Sequence, residues 1–272
     1  MIREVHHYCS PSVFLSLIKH RELWLTSLTL SNDHAEGIWM LHHWLDKFDD
    51  RNSQQRLMKR GAQIAVETVL RQNLALGTCF SEERDLLSQW RGYASDGTGY
   101  SITFDKEKLE LFSKDVYGNS QLLFAKISYG NDDWREVNAV VKTLHQAFGE
   151  DASKYEEVNG NGSMSLSFTP EKYKQQRQSA RDLYTVKSEA FREEKEWRLF
   201  LFEPPGMVHN LEFRENKGLL SPFTRIKIPA HAILGVTLGP TNPTPKVIVE
   251  AALEAHDLKV WTATSAASYR SR

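Results

Sequence analysis

Cysteine is nearly missing from this chain: Cys9 and Cys79 are the only two in 272 residues. That excludes a disulfide scaffold and fits a reducing compartment. Long apolar runs are missing as well. No eighteen consecutive apolar residues occur, and the opening MIREVHHY has no apolar signal core. The expectation is a soluble, cytoplasmic protein without a membrane segment. Excess charge of either sign is absent, since 34 Lys and Arg face 35 Asp and Glu for a net −1. So balanced a chain has no global field to draw nucleic acid or an anionic membrane, which leaves only a local basic patch for that purpose.

Familiar signatures are absent too. With no GxGxxG and no GxxxxGK[ST] there is no signal for a Rossmann or P-loop phosphate cradle. The lack of GxSxG, HExxH and CxxC removes a nucleophile elbow, a zincin helix and a paired-thiolate metal site.

What is present is ordinary globular material, 40% apolar and 25% charged, in a chain long enough to bury a sizeable core. Ser10-Pro11 reads as a helix start, with Ser10 as cap, after a short first strand. Residues 22–28, ELWLTSL, have the content of a second strand. Ser31-Asn32-Asp33 is cap chemistry before a long helical region that breaks at 49–53. Strands are expected at 76–81, 100–104 and 121–129, with a helical turn at 86–93 and a helix carrying Trp134, Val137, Val141, Leu144 and Phe148 on one face. Residues 150–165, EDASKYEEVNGNGSMS, have little to bury and read as a mobile loop within a single domain spanning 1–272. A hairpin around 216–218 and a βαβ-like end over 232–262 complete the order. Helices cluster between strands, so the class is α+β with a mixed sheet.

The most informative stretch is 187–202, KSEAFREEKEWRLFLF. In an extended conformation Glu194, Glu196 and Arg198 point one way and Trp197, Leu199 and Leu201 the other. Two carboxylates and a guanidinium at the mouth of an apolar strand form a candidate site; a solvated strand end with an Arg–Glu pair is the alternative. Trp90, Arg91 and Tyr93 are either core or a stacking surface with Arg91 beside a phosphate. His6 and His7 adjoin on a strand and face opposite sides, and His42 and His43 sit about 100° apart on a helix, so neither pair chelates a metal. Asn32, Asp33 and Glu36 are most simply a helix cap.

Five ordered blocks then coincide with one family. They are HYCS (7–10), ELWLTSL with SNDHAE (22–36), CFS (79–81), LLSQWRGYASDGTGYSITFD (86–105), and K…F..EKEWR from Lys187 to Arg198. This order resembles the bacterial family known as domain of unknown function 2971. Cys9 stands where the family has threonine, His34-Ala35 in its proline region, and Gly92 where a histidine is common. The pattern is in turn similar to the ADP-ribosyltransferase superfamily, which implies a split, strongly bent sheet flanked by helices and NAD as substrate.

That resemblance implies roles. Glu196 would stabilise an oxocarbenium-like ribose, with Glu194 polarising the acceptor and His7 holding a ribose hydroxyl. Tyr8, Trp24 or Tyr93 would stack on the nicotinamide, Ser27 would supply a hydroxyl beside Trp24, and Arg91 or Arg198 would pair with pyrophosphate. It also implies ADP-ribosyl transfer or NAD hydrolysis in bacterial conflict, as a toxin or in phage defence, with an unknown acceptor and a cognate antitoxin or defence partner. Two alternatives remain open: a non-catalytic sensor, and a metal-dependent nuclease using Glu36, Glu194 and Glu196.

Overall fold

The computed structural model describes residues 2–30, 37–114, 116–117, 120–130, 134–153, 155–158, 161–164, 169–216 and 218–269. Ten strands form one sheet: β1 (Glu4–Cys9), β2 (Glu22–Ser27), β3 (Leu74–Ser81), β4 (Tyr100–Asp105), β5 (Leu123–Lys126), β6 (Glu196–Glu203), β7 (Glu212–Asn216), β8 (Leu219–Lys227), β9 (Ile233–Leu238) and β10 (Trp261–Thr264). Most pairings are antiparallel, but β9 and β10 run parallel across a helix, so the sheet is mixed.

β3 is the trunk. Along one edge it pairs with β6 over its whole length, from Leu74↔Glu203 to Ser81↔Glu196, and β6 passes on to β5. Along the other edge its partner changes. Leu76 and Gly77 pair with Ser27 and Thr26 of β2, whereas Ser81 pairs with His6 of β1. Between them, residues 78–80 have no ladder partner on that edge among the described residues. The sheet therefore forks into one arm of β2, β8 and β7 and another of β1, β4, β9 and β10. Gly77 sits at the join because a Cβ there would lie 2.8 Å from the Cβ of Phe200 and 3.1 Å from a methyl of Leu28.

Helix α1 (Pro11–His20) bridges the diverging ends of β1 and β2. Pro11 occupies its first turn and Ser10 Oγ accepts from the Val13 N–H at 3.3 Å, as the sequence predicts. Its apolar face buries Phe14, Leu17 and Ile18, with Phe14 stacked on Tyr100 at 4.0 Å.

Helices α2 (Ile38–Leu45), α3 (Ser53–Gln72), α4 (Leu87–Tyr93), α5 (Lys106–Ser113), α6 (Trp134–Ala152), α7 (Pro170–Asp182) and α8 (Lys246–Ala255) follow in order. α2, α3, α6 and α7 enclose one apolar core, and α1, α5 and α8 belong to another. β6 separates the two. Phe200 and Phe202 pack into the core under α2, α3, α6 and α7, and Leu199 and Leu201 into the core of α1, α5 and α8. Alternation by two thus places both sets, and each such side chain contributes about 1.5–3 kcal/mol of burial.

Two expectations need correction. Residues 150–165 begin with the last turn of α6, and Tyr155–Val158 pairs antiparallel with Asn161–Met164. That polar hairpin is joined by backbone hydrogen bonds, which leave no apolar pattern to read. Glu194 is not extended either: Glu189–Glu194 is a 3-10 turn, and Lys195 adopts a left-handed φ of 42° before β6 begins. The capping residues Asn32 and Asp33, and Glu36 with them, lie outside the described residues. No described helix is long and apolar enough to cross a membrane.

Candidate functional site

The fork opens into a cleft of about 710 Å3, within the size range of small-molecule sites. β1, the first half of α1, β2, residues 77–80 of β3, α4, the β7–β8 hairpin and the start of β6 line it. The cleft exists because two strands leave a common neighbour at different points.

His7 lies on the divergent half of β1, and its Nδ1 is 2.9 Å from the carbonyl oxygen of Cys79. A carbonyl only accepts, so Nδ1 carries the proton and Nε2 keeps a lone pair. Burial lowers the imidazole pKa, against the opposing pull of the Cys79 carbonyl, so the ring is neutral at pH 7. His6 faces the other way, as alternation requires. It is buried with Nδ1 3.0 Å from Thr103 Oγ1, and burial followed by the Arg84 charge lowers its pKa to about 4.

The floor of the cleft is ionic. Lys187 Nζ lies 2.9 Å from Glu194 Oε2 and 2.8 Å from Glu196 Oε2. Arg198 grips Glu196 with two nitrogens, Nε at 2.6 Å and Nη2 at 3.1 Å, while its Nη1 donates to the Tyr184 carbonyl at 2.7 Å. Glu196, Arg198 and Lys187 are 3%, 1% and 5% exposed. Burial alone would raise the Glu196 carboxyl, but Arg198 and then Lys187 outweigh it and hold the carboxyl well below the usual range. Its N–H donates to Tyr129 Oη at 2.9 Å. Glu194 stands nearer the opening, its Oε1 accepting from Tyr93 Oη at 3.0 Å. Burial and the Glu194 charge raise the Tyr93 pKa, so this phenol stays protonated. Cys79 opens to the cleft, yet burial and the charge of Glu196 push its thiol up, away from a thiolate.

The walls collect most of the residues expected from sequence. His7, Tyr8, Trp24, Ser27, Tyr93, Glu194 and Glu196 all line the cleft. Three others do not. Trp90 is fully buried, edge-on to Tyr8 at 4.8 Å with Nε1 donating to Asp85 at 2.6 Å. Arg91 is exposed beside the ring of Tyr269, 6.0 Å away. On α4, positions 89, 92 and 93 reach the cleft and positions 90 and 91 turn off it, an effect of the 100° helical step. Arg198 lies beneath the floor, its guanidinium consumed by Glu196 and Tyr184. Tyr8 also differs from expectation: its hydroxyl donates to the Glu83 carbonyl at 2.7 Å and accepts from the Leu86 N–H at 3.0 Å, and its ring packs on Trp90, so it braces the site instead of offering a stacking face.

Sequence reasoning missed Thr78, Gln89, Arg214, Asn216 and Ser221 as cleft residues. The only sequence signal for Arg214 is the alternation of EFREN in β7, which puts it on a face with Glu212 and Asn216 without saying which face is lined by ligand space. For the nuclease reading, Glu36 lies outside the described residues, and an ammonium already sits between Glu194 and Glu196. Among the described residues no group of three His, Cys, Asp or Glu is arranged to hold a metal.

Residues 89–199 match the model of the family described as protein of unknown function DUF2971. The match runs from α4 to the middle of β6, takes in Tyr93, Glu194 and Glu196, and supports the family resemblance of the sequence blocks. No curated protein and no solved structure matches the chain.

Proposed function

We propose that this protein consumes NAD as an ADP-ribosyltransferase or NAD glycohydrolase, with the cleft at the sheet fork as its active site. The observation that carries the reading is the shared cleft of a neutral His7 with a lone pair on Nε2 and the Tyr93–Glu194 pair. Scission of the nicotinamide–ribose bond sends its electron pair to the pyridinium nitrogen and leaves positive charge on the ribose. A carboxylate facing that charge stabilises it, and an acceptor oxygen then bonds the anomeric carbon and gives up its proton. Glu194 takes the stabilising role in place of Glu196, whose charge is already shared by Arg198 and Lys187. Nε2 of His7 accepts a ribose hydroxyl, and Tyr93 orients the carboxylate. The acceptor is water, a small molecule, a protein or nucleic acid, and the biological setting by analogy is bacterial conflict, with an antitoxin or defence protein as partner.

One observation favours a second reading, a ligand-sensing module without chemistry. At the floor Lys187 and Arg198 offset Glu194 and Glu196, so the cluster carries no net negative charge to stabilise a cation.

Purified protein incubated with NAD and followed for nicotinamide release separates the two. Release by the wild type, lost in His7→Ala and Glu194→Gln while both variants remain folded at the assay temperature, is expected from the enzyme reading. Thermal stabilisation by NAD without release supports the sensor; neither release nor stabilisation sinks both.

A further inference from the structure

Among the described residues lining the cleft, Arg214 is the single Lys or Arg. Among the described residues no carboxylate forms an ion pair with it. Its guanidinium instead rests 5.3 Å from the ring centre of Trp24 and 5.7 Å from that of Phe223, two rings stacked on each other at 4.7 Å. Its Nε is shielded from solvent and has no hydrogen-bond acceptor among the described residues. Such a cation is oriented by its platform and lacks the acceptor that a guanidinium N–H normally finds. The neighbours supply more polar atoms. Ser221 is the register partner of Arg214 across β7 and β8, and Asn216 follows two residues along on the same face; both line the cleft. The other charges there, among the described residues, are Glu22, which faces Arg225, and the two floor carboxylates held by Lys187.

We propose that Arg214, with Asn216 and Ser221, forms an anion subsite at the β7–β8 end of the cleft that binds the phosphate or pyrophosphate of a nucleotide ligand. The inference rests on the reading of the cleft as a nucleotide site. Three separate donors, a planar fork, an amide and a hydroxyl, suit the several oxygens of a phosphate better than the two of a carboxylate. The subsite lies on the arm opposite His7, so a ligand anchored there by phosphate extends across the fork toward the His7–Glu194 end.

Calorimetric titration of the full chain with ADP-ribose, inorganic pyrophosphate, succinate and adenosine tests this, using the wild type, Arg214→Gln, Arg214→Lys and Arg225→Gln. The expected result is binding of ADP-ribose and pyrophosphate that weakens with salt, falls by about tenfold or more in Arg214→Gln, falls less in Arg214→Lys, and is unchanged in Arg225→Gln. Adenosine affinity should not depend on Arg214. Equal affinity of wild type and Arg214→Gln for pyrophosphate-bearing probes overturns the proposal. So does absence of pyrophosphate and ADP-ribose binding by the wild type, or stronger binding of succinate. If Arg214→Gln does not fold, Arg214→Lys and Asn216→Ala decide by the same comparison. Arg214-dependent pyrophosphate binding without nicotinamide release keeps the subsite and removes the enzyme reading, so the two fail separately.

Discussion

His7 takes the place of a missing strand at Cys79. Its Nδ1 meets the Cys79 carbonyl at 2.9 Å, in the part of β3 where β1 has left the edge and β2 has not arrived. A sheet edge that opens to make a cleft leaves backbone groups to satisfy, and here a side chain from the departing strand satisfies one. His7→Ala should cost about 1 kcal/mol of stability, because the carbonyl is near solvent and water can replace the ring. His7→Asn, which keeps a donor, should restore part of that stability. Nicotinamide release should stay lost in both, since neither retains Nε2. Urea denaturation beside the release assay checks this.

Glu196 holds together two buried cations. Removing it as Glu196→Ala takes the bidentate carboxylate from buried Arg198 and one of the two carboxylates from Lys187, and should cost about 3–5 kcal/mol. Arg198→Met should be destabilising in turn, through a carboxylate deprived of its bidentate partner. The double variant Glu196→Met, Arg198→Met should be less destabilised than the sum of the singles, with a coupling of about 0.5–3 kcal/mol. Additive losses in chemical denaturation would show that the pair is not an energetic unit.

Acid should weaken the fold in two windows, both with the same sign. The folded pKa of His6 is about 4 against 6.5, so between these values the unfolded chain binds a proton that the folded chain refuses. Stability is complete above pH 6.5 and falls by at most about 1.4 kcal/mol per unit down to pH 4. Glu196 is also depressed when folded, from 4.5, so its contribution is lost only below pH 4.5. Urea midpoints recorded from pH 7 to 4 should fall, and His6→Gln should flatten that fall. An identical slope in the variant would remove His6 as its source.

Asp85 clasps the chain's later segment to the aromatic brace of the cleft. Its Oδ1 accepts from Trp90 Nε1 at 2.6 Å and Ser265 Oγ at 2.5 Å, and Oδ2 accepts from the Ala266 N–H at 2.7 Å. Asp85→Ala should release residues 265–269 and leave a buried indole N–H unpaired, at about 1–3 kcal/mol. Limited proteolysis should then cut this segment in the variant well before the wild type does.

Local rules in the sequence were enough for the elements and some of their faces. Ser10-Pro11 specifies the start of α1 by capping, and Leu199, Phe200, Leu201 and Phe202 specify by alternation a strand covered on both sides. The opposed faces of His6 and His7 follow from the same period of two, as does the split of α4 from its period of 3.6. Only the tertiary structure decided the fork, because the change of partner at β3 joins His6 to Ser81 and Ser27 to Leu76, residues from distant parts of the chain. It likewise decided that Glu196 is gripped by Arg198 and Lys187 while Glu194 meets Lys187 and Tyr93, since these partners approach from separate elements. The position of Arg214 belongs to the same class: β7 reaches the cleft through β8 and β2, a register that hydrogen bonds between strands set and that no local pattern encodes.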